Sequence, residues 1–166
     1  MINKCVDIEF EEIFGIINDA AQAYHGVIPE DAWHEPYMSR DELSSEIEAG
    51  VEFWGGYVDE RLVGVMGVQY KQDVTLIRHA YVLTSERRNG IGTRLLTHLE
   101  RETSKPILIG TWAEASWAIE FYKKNGYRMI SGKERGMLLD KYWFISDVQA
   151  DASVVLADAR WVRGDR

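Results

Sequence analysis

Hydrophobic positions change period several times along the chain, and each change marks an element. Phe10, Ile13, Phe14, Ile17, Ala21 and Tyr24 recur at helical spacing and predict an amphipathic helix over about 8–24, with Asp7 as its cap and Gly26 ending it. No clear strand precedes it. Residues 25–38 are irregular and rich in aromatics, and Ser39-Arg-Asp-Glu42 is a capping box that opens a short second helix through Leu43 and Ile47 to Gly50. The period then drops to two: Val51, Phe53, Gly55 and Tyr57 alternate, Leu62–Tyr70 follows, and a third strand ends at Val82, together an antiparallel meander. Ile91, Leu95, Leu96 and Leu99 return to helical spacing from Gly90 to about Thr103, and Ile107–Trp112 reads as a buried strand. A helix crossing between two strands implies that they run parallel. A further helix spans about 115–124, Tyr127–Ile130 is extended, and Met137–Phe144 and Ser153–Ala159 are read as closing strands, with 160–166 as a solvated tail. The fold class is α+β, with a mixed, mainly antiparallel sheet flanked by helices and a helix pair near the N-terminus.

Candidate chemistry concentrates between the third strand and the third helix. The turn holds Arg87 and Arg88, then Asn89, Gly90, Ile91, Gly92 and Thr93 at the helix start. A helix N-terminus presents unpaired N–H groups and partial positive charge, and glycines let a ligand approach them. Two arginines add full charge, so the turn suits a phosphate or pyrophosphate. It is not a Rossmann fingerprint, because Leu95 occupies the third glycine's place, and no Gly-Lys-Ser/Thr follows to make a Walker loop.

Composition narrows the classes. A chain of 166 residues, 46% apolar with six Trp and eight Tyr, suits one globular domain. No apolar run reaches the ~20 residues of a membrane span. The first residues lack a signal-peptide pattern and Cys5 is the only cysteine, so a cytoplasmic setting is expected, without a disulfide framework or a cysteine-based metal site. A net charge of −8 disfavours nucleic acid as a partner. It mildly suits a cationic amine.

Three segments together resemble the GNAT superfamily of N-acetyltransferases: Leu62–Val68 as its central hairpin strand, Val82–Leu96 as its acyl-CoA motif, and Ala118-Ile-Glu-Phe-Tyr122-Lys-Lys-Asn-Gly126-Tyr as its late helix. The resemblance covers about 7–159. It implies transfer of an acetyl group from acetyl-CoA to a primary amine, small-molecule or protein, by direct transfer in a ternary complex without a metal. It implies that Val82, Leu83 and Thr84 present backbone to the pantetheine arm, that Val82 N–H polarises the acetyl carbonyl, and that Arg87, Arg88, Asn89, Gly90, Ile91, Gly92 and Thr93 hold the pyrophosphate. Tyr122 would protonate the leaving thiolate; its alternative is a core aromatic beside Phe121.

Three family positions depart. Ala115 stands where an asparagine is usual, and Val74 and Leu76 stand where relatives carry a base. His79 is the nearest titratable residue, though strand alternation puts it on the face opposite Val82 unless the strand bulges. Glu114, His25 and His34 are further candidates, with Trp33, Tyr37, Trp54 and Trp112 as possible acceptor lining. A non-catalytic acyl-CoA-binding module on the same fold is the second reading.

Overall fold

The structure is a computed structural model that describes residues 1–162. The chain runs β1 (Ile2–Lys4), α1 (Phe10–Ala20), α2 (Arg40–Glu48), β2 (Glu52–Val58), β3 (Arg61–Tyr70), β4 (Thr75–Val82), α3 (Ile91–Glu102), β5 (Ile107–Trp112), α4 (Ser116–Lys124), β6 (Arg128–Ile130), α5 (Gly132–Tyr142), α6 (Asp147–Asp151) and β7 (Ser153–Ala157). The sheet order is β1-β2-β3-β4-β5-β7-β6, antiparallel except for the β4–β5 pair that α3 connects. Helices α3 and α4 cover one face, packing Leu95, Leu96, Leu99 and Tyr122 on Val63, Met66, Ile77 and Ile109. On the other face, α1 and α2 lie over β2 and β3, and α5 lies over β5 and β7. Among the described residues no helix is long and apolar enough to cross a membrane.

The meander, the parallel crossover and the Ser39 capping box form as expected. Glu42 N–H donates to Ser39 Oγ at 3.1 Å, and Ser39 N–H donates to Glu42 Oε1 at 3.0 Å. Four expectations change. A strand does precede the first helix: Ile2–Lys4 pairs with Gly56–Trp54, which three residues of mixed polarity cannot announce. The first helix is α-helical only over Phe10–Ala20, with 3-10 turns on either side, and Asp7 does not cap it; Val6 N–H donates to Glu9 Oε1 instead.

The third change is that Met137–Phe144 is not a strand but the end of α5 and the turn after it. Leu138, Leu139 and Tyr142 are buried on one helical face, whereas Met137 is 67% exposed. Adjacent apolar residues fit a buried strand and a helix face equally well. The fourth is that the tail is docked where it can be described. Arg160 donates to Asp158 Oδ2 at 2.8 Å and to the Thr103 carbonyl, Asp158 also accepts from Ile107 N–H at 3.1 Å, and Trp161 packs beside α5. Residues 163–166 of that expected tail lie outside the described residues.

Two glycines set the position of α3. A Cβ on Gly56 or Gly64 would stand 2.7 or 3.0 Å from the Cγ2 of Ile91, so their bare backbones form the notch that seats the first residue of the helix. That notch places the N-terminus of α3 beside the end of β4.

Candidate active site

β4 and β5 pair only from Thr75–Ile107 to Ile77–Ile109, after which they diverge while β4 continues to Val82 and β5 to Trp112. At the point of divergence β4 bulges: Gly67 faces Arg78 and Val65 faces Tyr81, so His79 and Ala80 together oppose Met66. His79 takes a φ of 57° there. Beyond the bulge, Leu83 N–H donates to the Val63 carbonyl at 2.8 Å, which makes Val82–Gly64 the next, non-bonded pair of the ladder. The N–H and C=O of Val82 therefore point away from β3, towards the side that β5 has left.

Its two neighbours are already engaged. Leu83 N–H is spent on β3, and Thr84 N–H donates to Asp19 Oδ2 of α1 at 2.8 Å. Of the three residues expected to offer backbone to a pantetheine arm, Val82 alone keeps a free donor. Asp19 competes for the Thr84 donor, a contact no local pattern announces.

Nearby, Arg88 and Gly90 have φ of 71° and 76°, and the first bonded amide of the turn into α3 is Arg94 N–H, donating to the Gly90 carbonyl at 3.0 Å. Among the described residues no protein acceptor takes the N–H groups of Arg88 through Thr93. Arg87 and Arg88 are exposed beside them, free of ion pairs among the described residues, while Glu86 is drawn off by Arg61 at 2.9 Å and by Asn89 at 3.2 Å. Gly92 has a second role: a Cβ there would stand 3.2 Å from the Phe121 ring, so it also sets the α3–α4 approach. Unpaired amides, a helix dipole and two free guanidiniums fit a pyrophosphate, and the open edge of Val82 fits an amide-bearing arm.

A cleft of about 150 Å³ fills the divergence, walled by His79, Ala80 and Tyr81 of β4, Thr111 of β5 and Tyr122 of α4. Volumes of this size hold a small ring such as benzene. Tyr122 is buried against Phe121 and Tyr127, its hydroxyl forms no hydrogen bond among the described residues, and the residue lines the cleft. Burial, and then the Tyr24 hydroxyl, push its ionisation well above the ordinary phenol range. Tyr24, Tyr37 and Tyr81 bring further hydroxyls to the same space, with Trp112 Nε1–H donating to Tyr37 at 2.9 Å. A separate groove of about 770 Å³ opens on the α2 side and shares His79, Arg78, Tyr37 and Trp112 with the cleft. Asp31, Asp41, Glu42 and Glu46 line it against one arginine, Arg78.

His79 therefore stands where the two spaces meet. The strand does bulge, yet the ring still lies on the face opposite the Val82 side chain, beside Phe53 at 6.3 Å and bonded through Nε2 to Glu46 Oε1. Of the other histidines, His34 lines the groove with its Nδ1 at 2.8 Å from the Pro36 carbonyl oxygen, and His25 stacks on Trp33 at 4.8 Å. Trp54 lies on the α3 face against His98. Ala115 is fully buried, so the missing asparagine is a core contact here, and Glu114 is exposed. Glu46, Arg78 and Tyr81 carried no motif and went unremarked in the sequence, and Tyr24 figured there only in the apolar stripe of the first helix.

Cys5 packs with the α1–β2 cluster, and burial first, then Glu9, pushes its thiol up to about 12. A thiol so protonated is no nucleophile. Cys5→Ser is expected to leave the turnover within about twofold of wild type, and trapping of an acetylated Cys5 would overturn this.

Comparison with known proteins bears on the family and the fold. Residues 16–137 match the family model described as the acetyltransferase (GNAT) domain. An uncharacterized N-acetyltransferase, YjcF of Bacillus subtilis, is 34% identical over 95 residues, which span 57% of this chain and 65% of that relative's length. The crystal structure of the paia N-acetyltransferase of Thermoplasma acidophilum in complex with coenzyme A aligns at a TM-score of 0.73 over 95% of this chain and 97% of that one, at 18% identity. An aminoglycoside 6'-N-acetyltransferase complexed with coenzyme A aligns at 0.64 over 99% of each chain, at 17% identity. At such identities the structural likeness speaks for the fold, and the family model speaks for descent: the chain belongs to the GNAT family of acetyltransferases.

Proposed function

We propose that this chain transfers the acetyl group of acetyl-CoA to a primary amine, with both substrates bound at once. The observation that carries the reading is the free backbone of Val82 at the mouth of the β4–β5 divergence, with the unpartnered Tyr122 hydroxyl in the same cleft. Acetyl-CoA supplies an activated thioester carbonyl. The amides of Arg88–Thr93, with Arg87 and Arg88, hold its pyrophosphate. Val82 N–H donates to the acetyl oxygen as that oxygen takes up charge. His79 accepts a proton from the ammonium form of the acceptor, whose freed lone pair then attacks the carbonyl carbon. As the carbon–sulfur bond breaks, Tyr122 gives its proton to the sulfur and is reprotonated from water. The acetylated nitrogen loses one further proton, so each turnover releases amide, free thiol and one proton to solvent.

The groove on the α2 side is the place for the acceptor, because it reaches His79 without crossing the cofactor turn. Asp31, Asp41 and Glu42, the carboxylates there that His79 and Arg78 do not engage, favour an amine that arrives as a cation. Release of free thiol from acetyl-CoA, measured against a panel of small amines and N-terminal or lysyl peptides, tests the reading. Turnover with at least one amine and intersecting initial-rate lines are expected. Parallel lines would overturn ternary-complex transfer, and tight acetyl-CoA binding with no turnover on any amine would return the chain to a non-catalytic binding module. His79→Gln is expected to lower turnover roughly tenfold, below the usual general-base range, since water in the open groove takes the proton in its place. Wild-type turnover in that variant would remove His79 from the reaction.

A further inference from the structure

His79 occupies a left-handed backbone conformation that is costly for a non-glycine residue, and such strained positions cluster at functional sites. Its ring is fastened from another element. Glu46, in the last turn of α2 and 33 residues earlier in the chain, accepts from His79 Nε2, and the same oxygen lies 3.4 Å from an Arg78 guanidinium nitrogen. Gln69 ties that end of α2 down: its Nε2 donates to the Ala49 carbonyl at 3.0 Å, and its Oε1 accepts from Arg78 at 3.2 Å. The carboxylate is thus fixed by β3 and β4 together.

The hydrogen bond with His79 is the main cause that holds the Glu46 carboxyl below the usual carboxylate range, and the charge of Arg78 adds to it. An ionised carboxylate only accepts, so His79 Nε2 carries the hydrogen of this bond. A neutral imidazole has one N–H, which leaves the lone pair on Nδ1.

We propose that Glu46 is a positioning residue for acetyl transfer, fixing His79 as the Nε2–H tautomer so that Nδ1 is its one proton acceptor, and steadying the imidazolium that forms. This rests on the reading of His79 as the base. In the step, an N–H bond of the acceptor ammonium breaks, its electron pair stays on nitrogen, and Nδ1–H forms while Nε2–H is kept; Nδ1 later returns the proton to water in the groove. The charged and titratable groups facing the pair are Arg78 and Tyr81 of β4, Asp41 and Glu42 of α2, Asp31, His34 and Tyr37 of the aromatic segment, and Tyr24 and Tyr122 across the cleft. From α5, the turn after it and α6 the facing residues, Leu139, Trp143 and Gln149 among them, are neutral.

Two measurements test this. Nitrogen-15 NMR of the ligand-free protein at alkaline pH, with His79 assigned by its loss in His79→Gln, should show a single Nε2–H tautomer in wild type. In Glu46→Gln, whose amide both donates and accepts, the two ring nitrogens should move towards averaged shifts. A wild-type ring that is Nδ1–H or already averaged, or a tautomer unchanged in Glu46→Gln, would overturn the proposal. Kinetics supply the second arm, with the amine that the thiol-release screen finds best. Glu46→Gln should lower turnover several-fold at unchanged KM for acetyl-CoA, and the double variant with His79→Gln should be no slower than His79→Gln alone. Losses that multiply would show Glu46 acting other than through His79. Full activity in His79→Gln would sink the base assignment while leaving the tautomer result standing, so the two failures are distinguishable.

Discussion

Tyr122→Phe should lower turnover roughly 100-fold while leaving the fold and the acetyl-CoA affinity intact. A 100-fold loss corresponds to about 2.7 kcal/mol of barrier, the low end of general acid–base effects, as suits a thiolate that is already a fair leaving group. Stability is spared because the Tyr122 hydroxyl holds no protein partner among the described residues, so its removal leaves no polar atom stranded. The ring contacts with Phe121 and Tyr127 persist in phenylalanine. An ordinary tyrosine would put an alkaline limb near pH ~10 that vanishes in the variant. Burial changes that expectation. With its ionisation raised, Tyr122 stays protonated through the working range, and its limb lies above the ordinary phenol range. The pH–rate profiles of wild type and variant should therefore run parallel up to about pH 10, offset by the loss in rate. Measuring kcat, KM for acetyl-CoA and Tm in both proteins decides the matter. An unchanged kcat would return Tyr122 to the core as a packing residue.

What the sequence disclosed here is what local chemistry writes into neighbouring residues. The Ser39–Glu42 box, the apolar stripe from Ile91 to Leu99 and the glycine–arginine turn each occupy a few consecutive positions, and each forms where it was expected. Tyr122 was legible as part of a motif, and its open hydroxyl only from the cleft around it. Misreadings fall where one pattern serves two structures. Met137-Leu-Leu could line a buried strand or one turn of helix, and the decision belongs to the surface of β5 and β7 that α5 covers. β7 inserts between β5 and β6, a pairing between segments that follow no common local rule.

The chemistry of the acceptor side was hidden for a related reason. Alternation back from Val82 does put His79 on the opposite face, but the extra residue at His79–Ala80, which lets Arg78 and His79 both reach Glu46, is a property of the ladder with β3. A Cβ on Gly67, opposite Arg78, would stand 2.7 Å from the Arg78 carbonyl oxygen, so glycine there is part of what lets the strands close up at the bulge. Along the chain Glu46 is one more carboxylate on an acidic helix. Its meaning comes from a partner 33 residues away, just as that of Asp19 comes from Thr84, 65 residues away. Such pairs are invisible to spacing and unmistakable in space.

Gly92→Glu should abolish acetyl-CoA binding without unfolding the protein. Three effects act on stability, and they nearly cancel. Replacing a helical glycine recovers up to about 1 kcal/mol of backbone entropy. A carboxylate in the first turn of α3 gains a few tenths more from the helix dipole. Against these, the new Cβ stands 3.2 Å from the Phe121 ring, so that ring must give by a few tenths of an ångström. Binding has no such balance. The new side chain starts beside Phe121 in the same turn that offers the amides of Arg88–Thr93, and it sets a negative charge there against a ligand that carries several. At a ligand concentration about 100 times Kd, wild type should gain about 2.7 kcal/mol, a Tm rise of roughly 5–10 °C for a domain of this size. Gly92→Glu should show no rise at the same concentration. Gly92→Ala supplies the control, since it meets Phe121 equally but adds neither bulk nor charge to the amide cradle; it should keep most of the shift. The wild-type shift itself should shrink as salt is raised, because exposed arginines do much of the holding. A Gly92→Glu protein that melts as wild type does and still responds fully to acetyl-CoA would move the pyrophosphate site away from the start of α3.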